Sequence, residues 1–365
     1  MNFPQHFSRF ASGAGIRRVT LALFLVVFGA SAALAQTTAY VTNALDNTVS
    51  VINTNTNTVT ATIPVGSFPD GIAITPNGAR AYVANGASPN VSVIDTATNT
   101  VVATVPIGQG QLGVAVTPNG AFVYVSHGNI TGNVSVIDTK KNTVVTTIPV
   151  GLQPFGIAIT PNGSRAYVAD TNSSNVWVIN TATNTVIAAV SVGGFPQSVA
   201  VTPDGAFAYV TNSLLNHVSV IDTVTNTVTA TTSVGRGPFG IAITPNGASA
   251  YVANFENTVA VLATASNTVV TTVPVGTSPF GVAVTPNGAL VYVTNFNDHS
   301  VSVISTATNT VTATVPVGNG PFSIAVTPQV PTDMDQCKND GWKTFTNPAF
   351  NNQGDCVSFV NDRNH

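Results

Sequence analysis

From Gly71 to Gly108 the chain passes through four short apolar or alternating stretches, each closed by polar turn residues. Gly71-Ile72-Ala73-Ile74-Thr75 is apolar with its β-branched residues two apart, and Arg80-Ala81-Tyr82-Val83-Ala84 follows. Val91-Ser92-Val93-Ile94-Asp95 alternates as a strand with two differently packed faces does. A fourth stretch runs from Thr100 to Val105. Between the first two, Pro76 fixes φ and Asn77-Gly78 tolerates the left-handed values of a tight hairpin. Asp95 and the polar run Thr96 to Asn99 turn the chain into the fourth. The pattern predicts four antiparallel strands. Pro106 closes the last, with counterparts Pro64, Pro149, Pro274 and Pro316, and with Ser191 and Ser233 at the two remaining places. Proline donates nothing to a ladder, so this strand is expected at the outer edge, where it also blunts pairing with another molecule. The glycine-rich stretch is then innermost, where space is short, and Ala73, Ala115, Ala158, Ala200, Ala242, Ala283 and Ala325 recur in it.

The unit repeats. The tetrapeptide Tyr-Val-Thr-Asn, varied in later copies, opens at Tyr40, Tyr82, Tyr124, Tyr167, Tyr209, Tyr251 and Tyr292, at spacings of 42, 42, 43, 42, 42 and 41 residues. A Thr-Pro pair keeps the same beat at Thr75, Thr117, Thr160, Thr202, Thr244, Thr285 and Thr327. A period of about 40 to 45 residues holding several strands is the mark of propeller blades. The two ends are complementary. The chain enters at Tyr40 with no inner strand before it and leaves at Ser323 to Thr327 with no Tyr-Val strand after it. The expected fold is therefore all-β: a seven-bladed propeller of four-stranded antiparallel blades, closed by three N-terminal strands and one C-terminal innermost strand. An open array would need polar caps, and neither end supplies one.

Composition adds a setting. Charged residues make up 7% of the 365, against about 25% in an ordinary soluble protein, so Thr, Asn and Ser carry the polar surface. Nucleic acid, which calls for clustered Lys and Arg, is not an expected partner. Residues 1–35 read as an export signal: Arg9, Arg17 and Arg18, then the apolar run Val19 to Ala30, then Ala33-Leu34-Ala35 before Gln36. The run falls short of the roughly 20 apolar residues a spanning helix needs, so no membrane span is expected once the signal is removed. Its removal leaves 8 Lys and Arg against 14 Asp and Glu, a net charge of −6. The domain reading is a signal over 1–35, a propeller over 36–329 and a linker with a tail over 330–365, in a protein exported to the periplasm or cell surface.

Ala39-Tyr40-Val41-Thr42-Asn43, Val91-Ser92-Val93-Ile94-Asp95 and Gly240-Ile241-Ala242-Ile243-Thr244-Pro245-Asn246-Gly247 resemble the YVTN-repeat β-propellers of secreted bacterial and archaeal surface proteins. The resemblance runs from Ala39 to Pro328 and implies the propeller fold. For activity it implies little. Similar propellers occur in surface-layer-like proteins, and more distant relatives include lactonase-type enzymes and quinone- or haem-dependent periplasmic oxidoreductases.

Candidate chemistry is sought where the repeats differ. Just before each inner-strand Gly or Ser stand Asp70, Leu112, Phe155, Gln197, Phe239, Phe280 and Phe322. On the loop leading to the innermost strand these form an apolar collar at the channel mouth with Asp70 and Gln197 set into it, a ligand-binding candidate. The alternative is that each Phe tucks between blades as filler. The last residue of the tetrapeptide is Asn in five copies but His127 and Asp170 in two. With no nucleophile or third metal ligand in context, these read as substitutions within a tolerant loop. No cofactor is expected: the chain has no Cys-x-x-Cys-His, no Gly-rich dinucleotide turn and no acidic calcium cluster.

The only two cysteines, Cys337 and Cys356, bracket the tail, and in an exported protein they are expected to form a disulfide. Trp342, Phe345, Phe350 and Phe359 are candidates for its small core. The tail resembles the Cys-Lys-Asn-Gly-Gly-Trp…Asn-Gln-Gly-x-Cys-Val endings of many bacterial secreted proteins, with Asp340 in place of the first Gly. The leading functional expectation is a non-enzymatic binding module for a protein, glycan or cell-surface component. The alternatives are a lactonase-type hydrolase using Asp70 and Arg236 at the channel mouth, or a self-associating surface-layer protein.

Overall fold

A computed structural model describes residues 37–128, 131–331, 334–338 and 352–363. The expected export signal lies outside the described residues. Seven antiparallel four-stranded sheets make up the fold. The first blade takes Thr38–Asn43, Thr48–Asn53 and Thr58–Pro64 from the start of the chain and Pro321–Val326 from its far end. That last strand pairs with the first, Ala39 opposite Val326 and Tyr40 opposite Ala325. Blades two to seven each use four consecutive strands, and their innermost strands are Pro69–Ile74, Gln111–Val116, Pro154–Ile159, Pro196–Val201, Pro238–Ile243 and Pro279–Val284. These lie against one another in turn, and Pro321–Val326 touches both Pro279–Val284 and Pro69–Ile74, so the ring closes. The proline-ended strands are outermost in every blade that has one.

The glycines of the innermost strands answer to close approach. A Cβ on Gly71 would stand 2.1 Å from the Leu112 carbonyl oxygen of the next blade, and one on Gly113 would stand 2.2 Å from that of Phe155. Valines and isoleucines of the middle strands fill the space between blades in seven separate clusters.

Two repeated residues that the sequence shows only as separate markers meet across every blade boundary. The buried tyrosine of each tetrapeptide donates its phenol to an Asn Oδ1 in the following blade: Tyr40 to Asn99 at 2.7 Å, Tyr82 to Asn142 at 3.0 Å, Tyr167 to Asn226 at 3.0 Å, and Tyr251 to Asn309 at 2.7 Å. Tyr124 and Tyr209 do the same to Asn184 and Asn267. Tyr292 reaches Asn57 at 2.6 Å and so joins the seventh blade to the first. All seven acceptors sit in left-handed backbone, Asn57 at φ 53° and Asn309 at φ 52°, a conformation Asn tolerates better than most residues. Burial raises the phenols, to about 12 for Tyr40 and Tyr292, which keeps them protonated donors. Tyr292→Phe keeps the ring and removes the closing bond. It is expected to lower unfolding free energy by about 1 kcal/mol in a denaturant titration, and an unchanged midpoint would show the clasp to be ornamental.

Candidate functional site

The seven expected collar residues each occupy the second position of an innermost strand, not the preceding loop as the sequence reading placed them. Hydroxyls fix four of their backbones. Thr42 donates to the Asp70 carbonyl at 2.8 Å, Thr211 to that of Phe239 at 2.6 Å and Thr294 to that of Phe322 at 2.9 Å, while Ser126 serves Phe155 at 2.5 Å. The four phenylalanines do not tuck between blades. Phe155, from the fourth blade, crosses the axis to pack edge-on against Phe239 at 5.2 Å and reaches Phe322 of the first blade at 6.2 Å. Phe239 also meets Phe280 at 4.6 Å, and Phe280 stacks on Phe322 at 4.9 Å. Edge-to-face and offset pairs at these separations are the favoured aromatic geometries. Below the rings lies a cavity of about 140 Å³ lined by Leu112, Phe155, Gln197, Phe239, Phe280, Phe322 and the Gly, Ser, Ile and Val residues that follow them.

Asp70 is the collar residue that does not line this cavity. Its carboxylate turns outward over Gly86, where a Cβ would stand 2.5 Å from Oδ2; Leu112 leans the same way over Gly128, whose Cβ would stand 2.2 Å from Cδ1. Glycine follows the tetrapeptide only in these two blades. Asp70 is 3% exposed, and burial pushes its carboxyl up to about 7. The expected companion Arg236 is exposed in the loop before the sixth blade and makes no ion pair with it. A hydrolytic Asp70–Arg236 pair is therefore not assembled.

Four further aromatics belong to this end and escaped the sequence reading: Phe255 and Phe296, which follow the tetrapeptide and pack on Phe280 at 6.5 and 5.4 Å, and Phe68 and Phe195. Two positions before the collar, the entering loop carries Phe68 and Phe195 in the second and fifth blades, where the collar residue is the polar Asp70 or Gln197. Where the collar residue is Phe or Leu, that loop position holds Gly110, Gln153, Gly237, Ser278 or Gly320. The exchange is visible once the seven loops are aligned. Phe68 and Phe195 are each 40% exposed and sit at φ 52° and 53°, left-handed backbone costing a side chain on the order of 1 kcal/mol. Loops entering the innermost strand and loops joining the second strand to the third emerge at the same end of an antiparallel blade. That end also exposes Leu45, Leu152, Leu214, Leu215 and Phe255. Its acids are folded back onto backbone amides: Asp46 accepts from Asn319 N at 2.6 Å, Asp298 from Thr277 N at 2.6 Å and Glu256 from Arg236 N at 3.2 Å.

His127 and Asp170 are not loop substitutions; this corrects the sequence reading. Both end a strand, His127 at 4% and Asp170 at 0% exposure, and neither touches the other. The five asparagines at this position are buried pins, Asn43 and Asn295 for instance donating to Ser50 at 2.8 Å and Ser302 at 2.9 Å. His127 keeps the role through Nε2 and Ser135 Oγ at 2.9 Å, and burial lowers its imidazole so that it stays neutral. Asp170 reverses the polarity. It accepts from the Trp177 indole at 2.9 Å and from the amides of Leu152 and Gln153 at 2.9 and 2.8 Å.

Among the described residues no group of three His, Cys, Asp or Glu is placed to hold a metal ion, and no helix is long and apolar enough to cross a membrane. Cys337 and Cys356 form a disulfide with Cα atoms 5.6 Å apart, joining the short turn Met334–Cys337 to the helix Gln353–Arg363. Trp342, Phe345 and Phe350 lie outside the described residues.

Known proteins place the chain among β-propellers. Residues 22–118 match the YNCE-like β-propeller family, and residues 184–316 match the seven-bladed lactonase β-propeller family. No curated protein matches the sequence. Among solved structures, Kuenenia stuttgartiensis hydrazine synthase is 23% identical, covers 70% of this chain and 88% of its own, and superposes with a TM-score of 0.65. A functionally unknown protein from Desulfotomaculum acetoxidans DSM 771 is 21% identical, covers 79% of this chain and 98% of its own, with a TM-score of 0.72. At these identities the likeness is one of fold alone.

Proposed function

We propose that the protein is an exported, non-enzymatic propeller whose channel-mouth end binds a protein, glycan or cell-surface component. The observation that carries this reading is the gathering of exposed Phe and Leu in the loops of that end, while the exposed Val and Ile residues among those described lie mostly along the outermost strands. Exposed apolar side chains gathered at one end of a fold are the mark of an interaction surface. The disulfide accords with export.

The test is a thermal-stabilisation screen against sugars, lactones, metals and cell-wall fragments, with Phe68→Ser/Phe195→Ser and Phe239→Ala alongside. A hit that weakens in the loop variant is expected. Hits that bind all three proteins equally would sink the mouth-end reading. A second reading, lactone hydrolysis, is favoured by the family match over 184–316. It requires turnover of a lactone that Asp70→Asn abolishes.

A further inference from the structure

Five blades carry Gly directly after the collar position, whereas the fifth and first carry Ser198 and Ser323. Both serines line the 140 Å³ cavity. Their amides are engaged, donating to Thr211 Oγ1 at 3.0 Å and Thr42 Oγ1 at 2.9 Å, yet neither hydroxyl bonds to any other described residue. The fifth and first blades stand three apart in a ring of seven, so the two hydroxyls come from nearly opposite walls. The aromatic part of the lining comes from Phe155, Phe239, Phe280 and Phe322, and no charged side chain contributes.

We infer that this cavity binds a neutral aromatic molecule of one ring that carries a hydroxyl, a phenol-class ligand. Size comes first: a cavity of roughly 150 Å³ accommodates a benzene-sized ring. Charge comes second, because an ion entering a lining without a counter-charge loses its hydration and gains no partner. The ring continues the edge-to-face packing already built around Phe239. The hydroxyl is what singles out the class. A serine Oγ both donates and accepts, so it pairs with a phenol in either sense, whereas toluene would leave it unsatisfied.

This inference rests on the mouth-end reading but uses different residues. Calorimetric titration of the folded chain with p-cresol, toluene, benzoate and benzylamine tests it. The key variant, Ser198→Gly/Ser323→Gly, installs the residue of the other five blades, and Phe239→Leu removes a ring. We expect p-cresol to bind at least fivefold tighter than toluene and the two ions not to bind. The Gly pair should weaken p-cresol roughly five- to tenfold and leave toluene unchanged, matching the loss of one hydrogen bond. Equal affinity for toluene and p-cresol, an unaltered p-cresol affinity in the Gly pair, or no binding by any probe at millimolar concentration would each overturn the inference. p-Cresol silence beside a screening hit that depends on Phe68 and Phe195 would overturn the cavity alone. Cresol binding with no Phe68-dependent hit would overturn the rim instead.

Discussion

Asp70→Asn is expected to gain stability over the parent as pH rises, by roughly 4 kcal/mol between pH 4 and pH 8. The folded protein holds the Asp70 proton up to about 7, against the ordinary 3.8 that applies when the chain is unfolded. A difference of that size corresponds to roughly 4 kcal/mol. Below the unfolded value both states are protonated and the group contributes nothing. Between about 4 and 7 the unfolded chain has lost the proton while the folded one retains it. Stability therefore falls as pH rises through this window and stays reduced above it. Aspartates lowered mainly by hydrogen bonds, such as Asp46 and Asp204, act in the opposite sense, but they are common to parent and variant and cancel in the difference. Denaturant titrations of both proteins at pH 4, 6 and 8 measure it. A difference that does not change with pH would mean that Asp70 ionises freely in the fold. An asparagine amide left without a partner shifts the whole difference by about 1 to 3 kcal/mol and leaves its pH dependence intact.

A carboxyl that weakens the fold at neutral pH, two residues from a strained exposed Phe68, is poor material for a scaffold. Yet perturbed carboxyls of this kind occur at binding and catalytic sites and at purely structural ones, so the pH dependence of Asp70→Asn is a statement about the fold.

The architecture was legible in the sequence because its constraints are local and repeated: a proline that cannot pair, a glycine with no room for a Cβ, an alternation that faces two neighbours. The Tyr–Asn clasps were not, although both members recur at the blade period. Their partnership depends on which blade the phenol reaches, and a linear period does not state that. The mouth shows the same limit. Sequence position put Asp70 and Gln197 together as polar insets; both side chains lean toward the residue that follows the tetrapeptide, Asp70 over Gly86 and Gln197 onto Ser213 Oγ at 3.2 Å, yet of the two only Gln197 lines the cavity. His127 and Asp170 misled for a related reason. The end of a repeated motif looks like the start of a loop, yet it is a strand end sealed by the loop that folds over it.

Asp170→Asn tests that seal. Five blades carry Asn at this place, so the change would look conservative from the sequence. The surroundings say otherwise. Three donors converge on the carboxylate, the Trp177 indole and the amides of Leu152 and Gln153. An amide offers one oxygen and turns an NH₂ toward the remaining donors. Burial alone would raise the Asp170 carboxyl, and the donors around it outweigh that and hold it below the ordinary value. Loss of charge-assisted bonds in a buried site is expected to cost about 3 kcal/mol at pH 7. This stabilisation is present above the unfolded value and lost as pH falls through the lower folded one, so the deficit of Asp170→Asn should shrink in acid. Trp177 stands where other blades place Ser92 or Ser219, the acceptors for Asn85 and Asn212 at 3.0 Å. Asp170→Asn/Trp177→Ser rebuilds that pair, and its cost should fall short of the summed single costs by at least about 1.5 kcal/mol in a double-mutant cycle. Additivity within about 0.5 kcal/mol would show that the two residues were never coupled. Gly151 sets the limit on repair: at φ 118°, with a Cβ that would lie 1.6 Å from Asp170 Oδ2, no other residue fits there while the carboxylate keeps its place.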